Sequence, residues 1–113
     1  MKYALLLARG EWQESASPAD QAEVFGQIGN WFAKLVADGT ITEAHQLQPP
    51  DTATTVVLDH GASTLLDRPL LEAKEAIGGY AIINVDDLDA ALAIARSFPM
   101  PDGKIEVRPV VER

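Results

Sequence analysis

Two stretches of the chain are apolar almost without interruption. Tyr3 to Ala8 reads YALLLA, and Gly79 to Val85 reads GYAIINV. A strand with one wet face alternates, so these runs are expected to be strands covered on both faces. Between them a different period appears. Val24, Phe25, Ile28, Phe32, Leu35 and Val36 recur at helical spacing and form one apolar stripe, with Trp31 at its edge. Ser17 is placed to cap this helix and Pro18 suits its first position. Asp20 lies in the first turn, where the helix dipole favours an acid, and Gly39 ends the helix. The predicted helix has about 20 residues and is roughly 30 Å long. Gly26 and Gly29 inside it each cost about 1 kcal/mol relative to alanine, and close packing against a sheet is their expected use.

Gly10 to Ser17 reads as a polar loop containing Trp12. Ile41 to Leu47 is a candidate strand, interrupted by Gln48-Pro49-Pro50-Asp51 because proline cannot donate to a ladder. Thr52 to Leu58 is β-branched, Asp59 to Ala62 is a turn, and Ser63 to Leu66 returns, which predicts a hairpin. Asp86 or Asp87 caps a second helix whose stripe is Leu88, Ala91, Leu92, Ala95 and Phe98, stopped by Pro99 and Pro101. In the last strand Lys104, Glu106 and Arg108 alternate with Ile105, Val107 and Pro109, giving one wet and one dry face. The order is β-α-β, a hairpin, then β-α-β. It predicts one α+β domain over residues 1–113, a ferredoxin-like split β-α-β layer with an inserted hairpin. Both helices would cover one sheet face. The other face then needs a cover, either a second copy packed sheet to sheet as a homodimer or a wide apolar cleft.

Composition narrows the function. The chain has 17 acids against 9 bases, a net charge of −8. With no Lys or Arg between Lys34 and Arg68, a nucleic-acid surface is not expected. There are no cysteines, which excludes disulfides, thiolate catalysis and zinc-thiolate sites. No signal peptide is visible and no stretch approaches the roughly 20 apolar residues of a spanning helix. The expectation is a cytoplasmic protein with no membrane contact.

One set of strings carries a family resemblance. It comprises Leu47-Gln48-Pro49-Pro50 with Thr52-Ala53-Thr54-Thr55-Val56, Asp67-Arg68-Pro69-Leu70, and Glu72-Ala73-Lys74-Glu75-Ala76-Ile77-Gly78-Gly79-Tyr80. It continues with Asp86-Asp87-Leu88-Asp89-Ala90-Ala91 and Ile105-Glu106-Val107-Arg108-Pro109-Val110. Together they resemble the YCII-related family, in particular its DGPF branch, over nearly the whole chain. The resemblance implies a ferredoxin-like fold and a dimeric α+β barrel. Arg68 and Leu70 stand where the branch has glycine and phenylalanine. Some wider relatives are similar to lactone isomerases and dehydrochlorinases that use an early His with an Asp. Ser15 to Val24 contains no histidine here, so that pair is not carried over. Branch members are often encoded beside extracytoplasmic-function sigma factors, which implies a regulatory context with a sigma factor as partner.

The candidate chemistry centres on Asp67 to Tyr80. Asp67 reads either as a general base raised in pKa beside a dry sheet face or as a turn cap accepting backbone N–H groups. His45 reads either as an acid–base group facing the barrel interior, with Asp67 or Glu72 as partner, or as a half-buried histidine bonded to backbone. Asp67 and His45 are thus the catalytic candidates. Arg68, Glu72, Tyr80, Arg9 and Arg108 are the ligand-binding candidates. Arg9 and Arg108, from neighbouring strands, suit a carboxylate or simple ion pairs with Glu11 and Glu106. Glu72, Lys74 and Glu75 read as a cleft mouth or as a solvated helical face. His60 falls in a turn and is expected in solvent. Asp86, Asp87 and Asp89 suit a helix N-terminus and lack calcium-loop spacing, so no metal site is expected. Gly78-Gly79 precedes a strand and is no phosphate loop; it suits close approach of the chain. No cofactor is implied. Two functions fit. One is a small-molecule-binding protein or cofactor-free enzyme, transferring protons in isomerisation or elimination on a small organic acid or lactone. The other is a regulatory protein that meets its partner through Trp12, Arg68 and the exposed acids.

Overall fold

The two uninterrupted apolar runs form the inner strands of an antiparallel sheet in the computed structural model, which describes residues 1–68 and 77–113. In chain order the elements are β1 (Lys2–Arg9), α1 (Trp12–Ser15), α2 (Pro18–Ala37), β2 (Ile41–Gln46), β3 (Thr55–Asp59), β4 (Ala62–Leu66), β5 (Ile77–Asn84), α3 (Leu88–Arg96) and β6 (Gly103–Pro109). A 3₁₀ turn covers Pro50–Thr52. The main sheet runs β2-β5-β1-β6, and every neighbouring pair is antiparallel. With α2 in one half and α3 in the other, this is the ferredoxin-like α+β arrangement, and β3–β4 is the inserted hairpin.

Period-two alternation divides the sheet into two faces. Tyr3 and Leu5 of β1 pair with Ile83 and Ala81 of β5, and all four are buried. Leu35 of α2 and Ala91 of α3 complete that core with Ile41. Leu5 and Ile83 are fully buried, each contributing about 1.5–3 kcal/mol by transfer from water. The alternate residues, Ala4, Leu6, Tyr80 and Ile82, are half-buried on the opposite face.

The helix signals act as expected. Ser17 Oγ accepts from Asp20 N at 3.1 Å, and Asp87 accepts from Ala90 N at 2.9 Å. Gly39 leaves α2 at φ 83°. Gly26 and Gly29 correct the packing expectation: a Cβ at either would meet nothing within 4 Å. Gly79 does allow close approach, since a Cβ there would sit 3.0 Å from the His45 carbonyl oxygen.

Two local expectations change. The segment Gly10 to Ser17 is not all loop, because α1 forms within it. Its start is held from across the fold: the Asp102 carboxylate accepts from Glu11 N at 2.9 Å and Trp12 N at 3.0 Å. Gly10 makes room, since a Cβ there would lie 2.4 Å from the Asp102 side chain. The first hairpin strand starts at Thr55 rather than Thr52, after the proline-led turn. His60 (φ 48°) and Gly61 (φ 92°) form the hairpin tip, with the two left-handed residues of a type I′ turn.

Candidate functional site

A cleft of about 800 Å³ opens where the ends of the four main strands meet the helix layer. That volume is within the range of small-molecule sites. Leu7 and Ile105 come from the sheet, Phe25, Ile28 and Phe32 from α2, and Phe98 from the turn after α3. Phe25, Ile28 and Phe32 belong to the apolar stripe that the sequence predicted for this helix. Trp31, Phe32 and Phe98 pack edge to face with centroids 4.9–6.2 Å apart, and Trp31 Nε1 donates to Ser97 Oγ at 2.8 Å. The two helices are thereby tied together beside the cleft.

The polar residues of the lining are Arg9, Gln13, His45, Gln46, Gln48, Asp102 and Lys104. The Arg9 guanidinium donates to Gln13 Oε1 at 3.4 Å. Asp102 is already engaged by the main chain of Glu11 and Trp12.

A second group lies on the sheet face turned away from the helices. Glu43 pairs with Ile82 and His45 with Tyr80, so their side chains share that face. The Tyr80 hydroxyl donates to the Glu43 carboxylate. This hydrogen bond is the main cause that raises the Tyr80 pKa above its ordinary value, with desolvation and the Glu43 charge adding to it. The His45 ring is 5.8 Å from that of Tyr80. On the far edge of the same face stand Lys104, Glu106 and Arg108.

The expected site residues are scattered. Asp67 and Arg68 follow β4 and are exposed. Among the described residues nothing hydrogen-bonds the Asp67 side chain, and no bond or ion pair joins it to His45. The Arg68 carbonyl oxygen accepts from Thr55 Oγ1 at 2.7 Å, steadying the hairpin base. Glu72, with Pro69, Leu70, Lys74 and Glu75, lies outside the described residues. Arg9 pairs with Gly103 and Arg108 with Ala4, so the two arginines stand at opposite ends of one ladder and do not converge. Arg108 makes an ion pair with Glu106 at 2.8 Å. His60 is fully exposed beside Asp59.

Sequence reasoning missed Glu43, Gln13 and Asp102. Glu43 was within reach, since it lies two residues before His45 in a strand and must share its face. Asp102 stands between Pro101 and Gly103, which signals a turn and nothing more. Its contact with Gly10 to Trp12 spans some 90 positions and leaves no local trace. Among the described residues no three His, Asp or Glu side chains converge as metal ligands, and no helix is long and apolar enough to cross a membrane.

Compared with known proteins, the chain matches the model of the YCII-related domain over residues 1–113. It is 31% identical over 114 residues to an uncharacterized protein of Rhizobium meliloti, covering 97% of this chain and 92% of that protein.

Proposed function

The chain belongs to the YCII-related domain family, and from that premise we propose that it is a homodimeric binding protein for a small, largely apolar organic molecule. The observation that carries the reading is the cleft of about 800 Å³ roofed by aromatic side chains and bordered by a few polar ones. Within the family we place it in the DGPF branch, on the residues that carry that resemblance.

The homodimer rests on the second sheet face. Ala4, Leu6, Tyr80 and Ile82 form a central apolar stripe there, bordered by Glu43 and His45 on one edge strand and by Lys104, Glu106 and Arg108 on the other. A two-fold axis along the strands lays each β2 edge against the partner's β6 edge and covers the stripe. In that packing Glu43, His45 and Tyr80 leave bulk water, on the sheet face away from the cleft. Among the described residues no hydrogen bond or ion pair joins Asp67 to His45 for proton transfer.

The β3–β4 hairpin favours a second reading, a regulatory protein that meets a protein partner such as a sigma factor. Val56, Leu58 and Leu65 stand on one of its faces, 53%, 80% and 69% exposed.

Native mass spectrometry of protein purified gently from its own host separates these. A dimer with a small added mass supports the binding reading. A dimer with a second protein supports the regulatory one. A bare monomer overturns both the homodimer and the retained ligand.

A further inference from the structure

We infer that the cleft takes an organic carboxylate, an apolar body bearing one anionic group met by Arg9. This rests on the reading of the cleft as a ligand site and names the ligand's class. Three observations support it. First, the depth of the cleft is uncharged: Leu7, Ile28, Phe32, Phe98 and Ile105 offer no polar atom to a second charge. Second, acids do not dominate at this place. The chain has 17 acids and 9 bases, yet the charged residues that the lining takes from the cleft's own side of the sheet are one base, Arg9, and one acid, Asp102. Third, the lone acid is committed elsewhere. Both Glu11 N and Trp12 N, at 2.9 and 3.0 Å, point at the Asp102 carboxylate.

Those two N–H groups are the main-chain donors that a phosphate would seek at this end of the sheet, and Asp102 fills them. An incoming anion is therefore received by a side chain. Among the described residues Arg9 is in no ion pair. Gln13 holds the guanidinium with a neutral oxygen at 3.4 Å, which orients it without cancelling its charge. A planar guanidinium offers two parallel N–H donors and fits a carboxylate in bidentate fashion. The ligand's apolar part then lies under Phe32 and Phe98, close to Trp31.

The test compares three acids with their own amides: phenylacetate, 4-phenylbutyrate and decanoate. Binding is read by titration calorimetry and by the tryptophan fluorescence of the full chain. The expected result is that at least one acid binds about tenfold more tightly than its amide, the ratio of a charge-assisted bond to a neutral one. Arg9→Gln removes that ratio, bringing acid affinity down to that of the amide, with an unchanged melting temperature as the check on folding. Arg9→Lys restores only part of it, since the charge returns without the fork. Ile28→Trp, which fills the cleft, abolishes binding of acid and amide alike. If acid and amide bind equally well to the wild-type chain, the carboxylate inference is wrong while the cleft reading stands. If no acid and no amide binds, both fail. Acid binding that survives Ile28→Trp also overturns the inference, because the ligand then sits elsewhere.

Discussion

The two faces of the main sheet are built from the same kinds of residue and have opposite fates. On β1, Tyr3 and Leu5 face the helices and are 2% and 0% exposed. Ala4 and Leu6, one position along in each case, face the other way and are only half-buried. The strand itself does not distinguish them. What differs is what crosses each face. Leu35 and Ala91 press on the first, whereas no helix crosses the second among the described residues. The edge strands repeat the distinction. Ile41, Ala44, Ile105 and Val107 point toward the helix layer, while Glu43, His45, Lys104 and Arg108 border the open face. An apolar centre with a charged margin is the anatomy of a protein interface, not of a solvated sheet.

Leu5→Ala and Leu6→Asp test this contrast most directly. Leu5→Ala opens a cavity in the core and should lower the unfolding free energy by about 3 kcal/mol in urea titrations. Leu6→Asp should leave the single-chain fold intact and, if the proposed dimer meets at the open face, shift it to monomer in sedimentation equilibrium at micromolar concentration. A Leu6→Asp protein that stays dimeric would place the interface somewhere other than the open face.

The helix layer has two surfaces of its own, and α2 sharpens the comparison from outside. Its inner side carries Leu35, whereas its glycines look into open space. Gly26→Ala and Gly29→Ala should each stabilise the protein by up to about 1 kcal/mol, because helix propensity rises and nothing is displaced. A lowered melting temperature would show that something packs on that surface in the assembled protein.

How far the two faces were legible in the sequence follows from the range of each signal. YALLLA and GYAIINV announced the two inner strands because an unbroken apolar run is a local signal, and the helix caps Ser17 and Asp87 bond only three residues ahead. The site was much less legible. His45 and Asp67 were paired on chemistry, but the hairpin carries Asp67 away after β4, and strand register instead sets Tyr80 beside His45. Arg9 and Arg108 do lie on adjacent strands, yet an antiparallel register sends their ends apart. Pairing partners can be guessed from pattern; register cannot, and the cleft's polar group depends on register and on the long-range reach of Asp102.

That reach gives the next prediction. Asp102→Ala leaves two helix-start N–H groups without their acceptor and should cost about 1 kcal/mol, the usual penalty for a lost cap. Asp102→Asn, which keeps one acceptor oxygen, should recover part of it. Thermal melts of the two variants check the order. Equal stability of wild type and Asp102→Ala would mean that α1 forms without the contact. The cleft's rim would then owe its shape to the strands alone.

The smallest expected effect lies on the open face, in the bond from Tyr80 to Glu43. That bond raises the Tyr80 pKa from its ordinary 10.0. A group whose pKa is raised on folding lends its stabilisation in full below its unfolded value and loses it as pH climbs through the folded one. The difference in melting temperature between wild type and Tyr80→Phe should therefore be flat from neutral pH to about 9 and shrink only above the unfolded tyrosine range. Phenolate absorbance carries the same information about the sheet. If a second copy covers the open face, desolvation pushes Tyr80 further up, and Leu6→Asp, by exposing it, should bring its titration back down. A Tyr80 titration that is the same in wild type and Leu6→Asp would show the hydroxyl in equal contact with water in both. The open face would then not be where two copies meet.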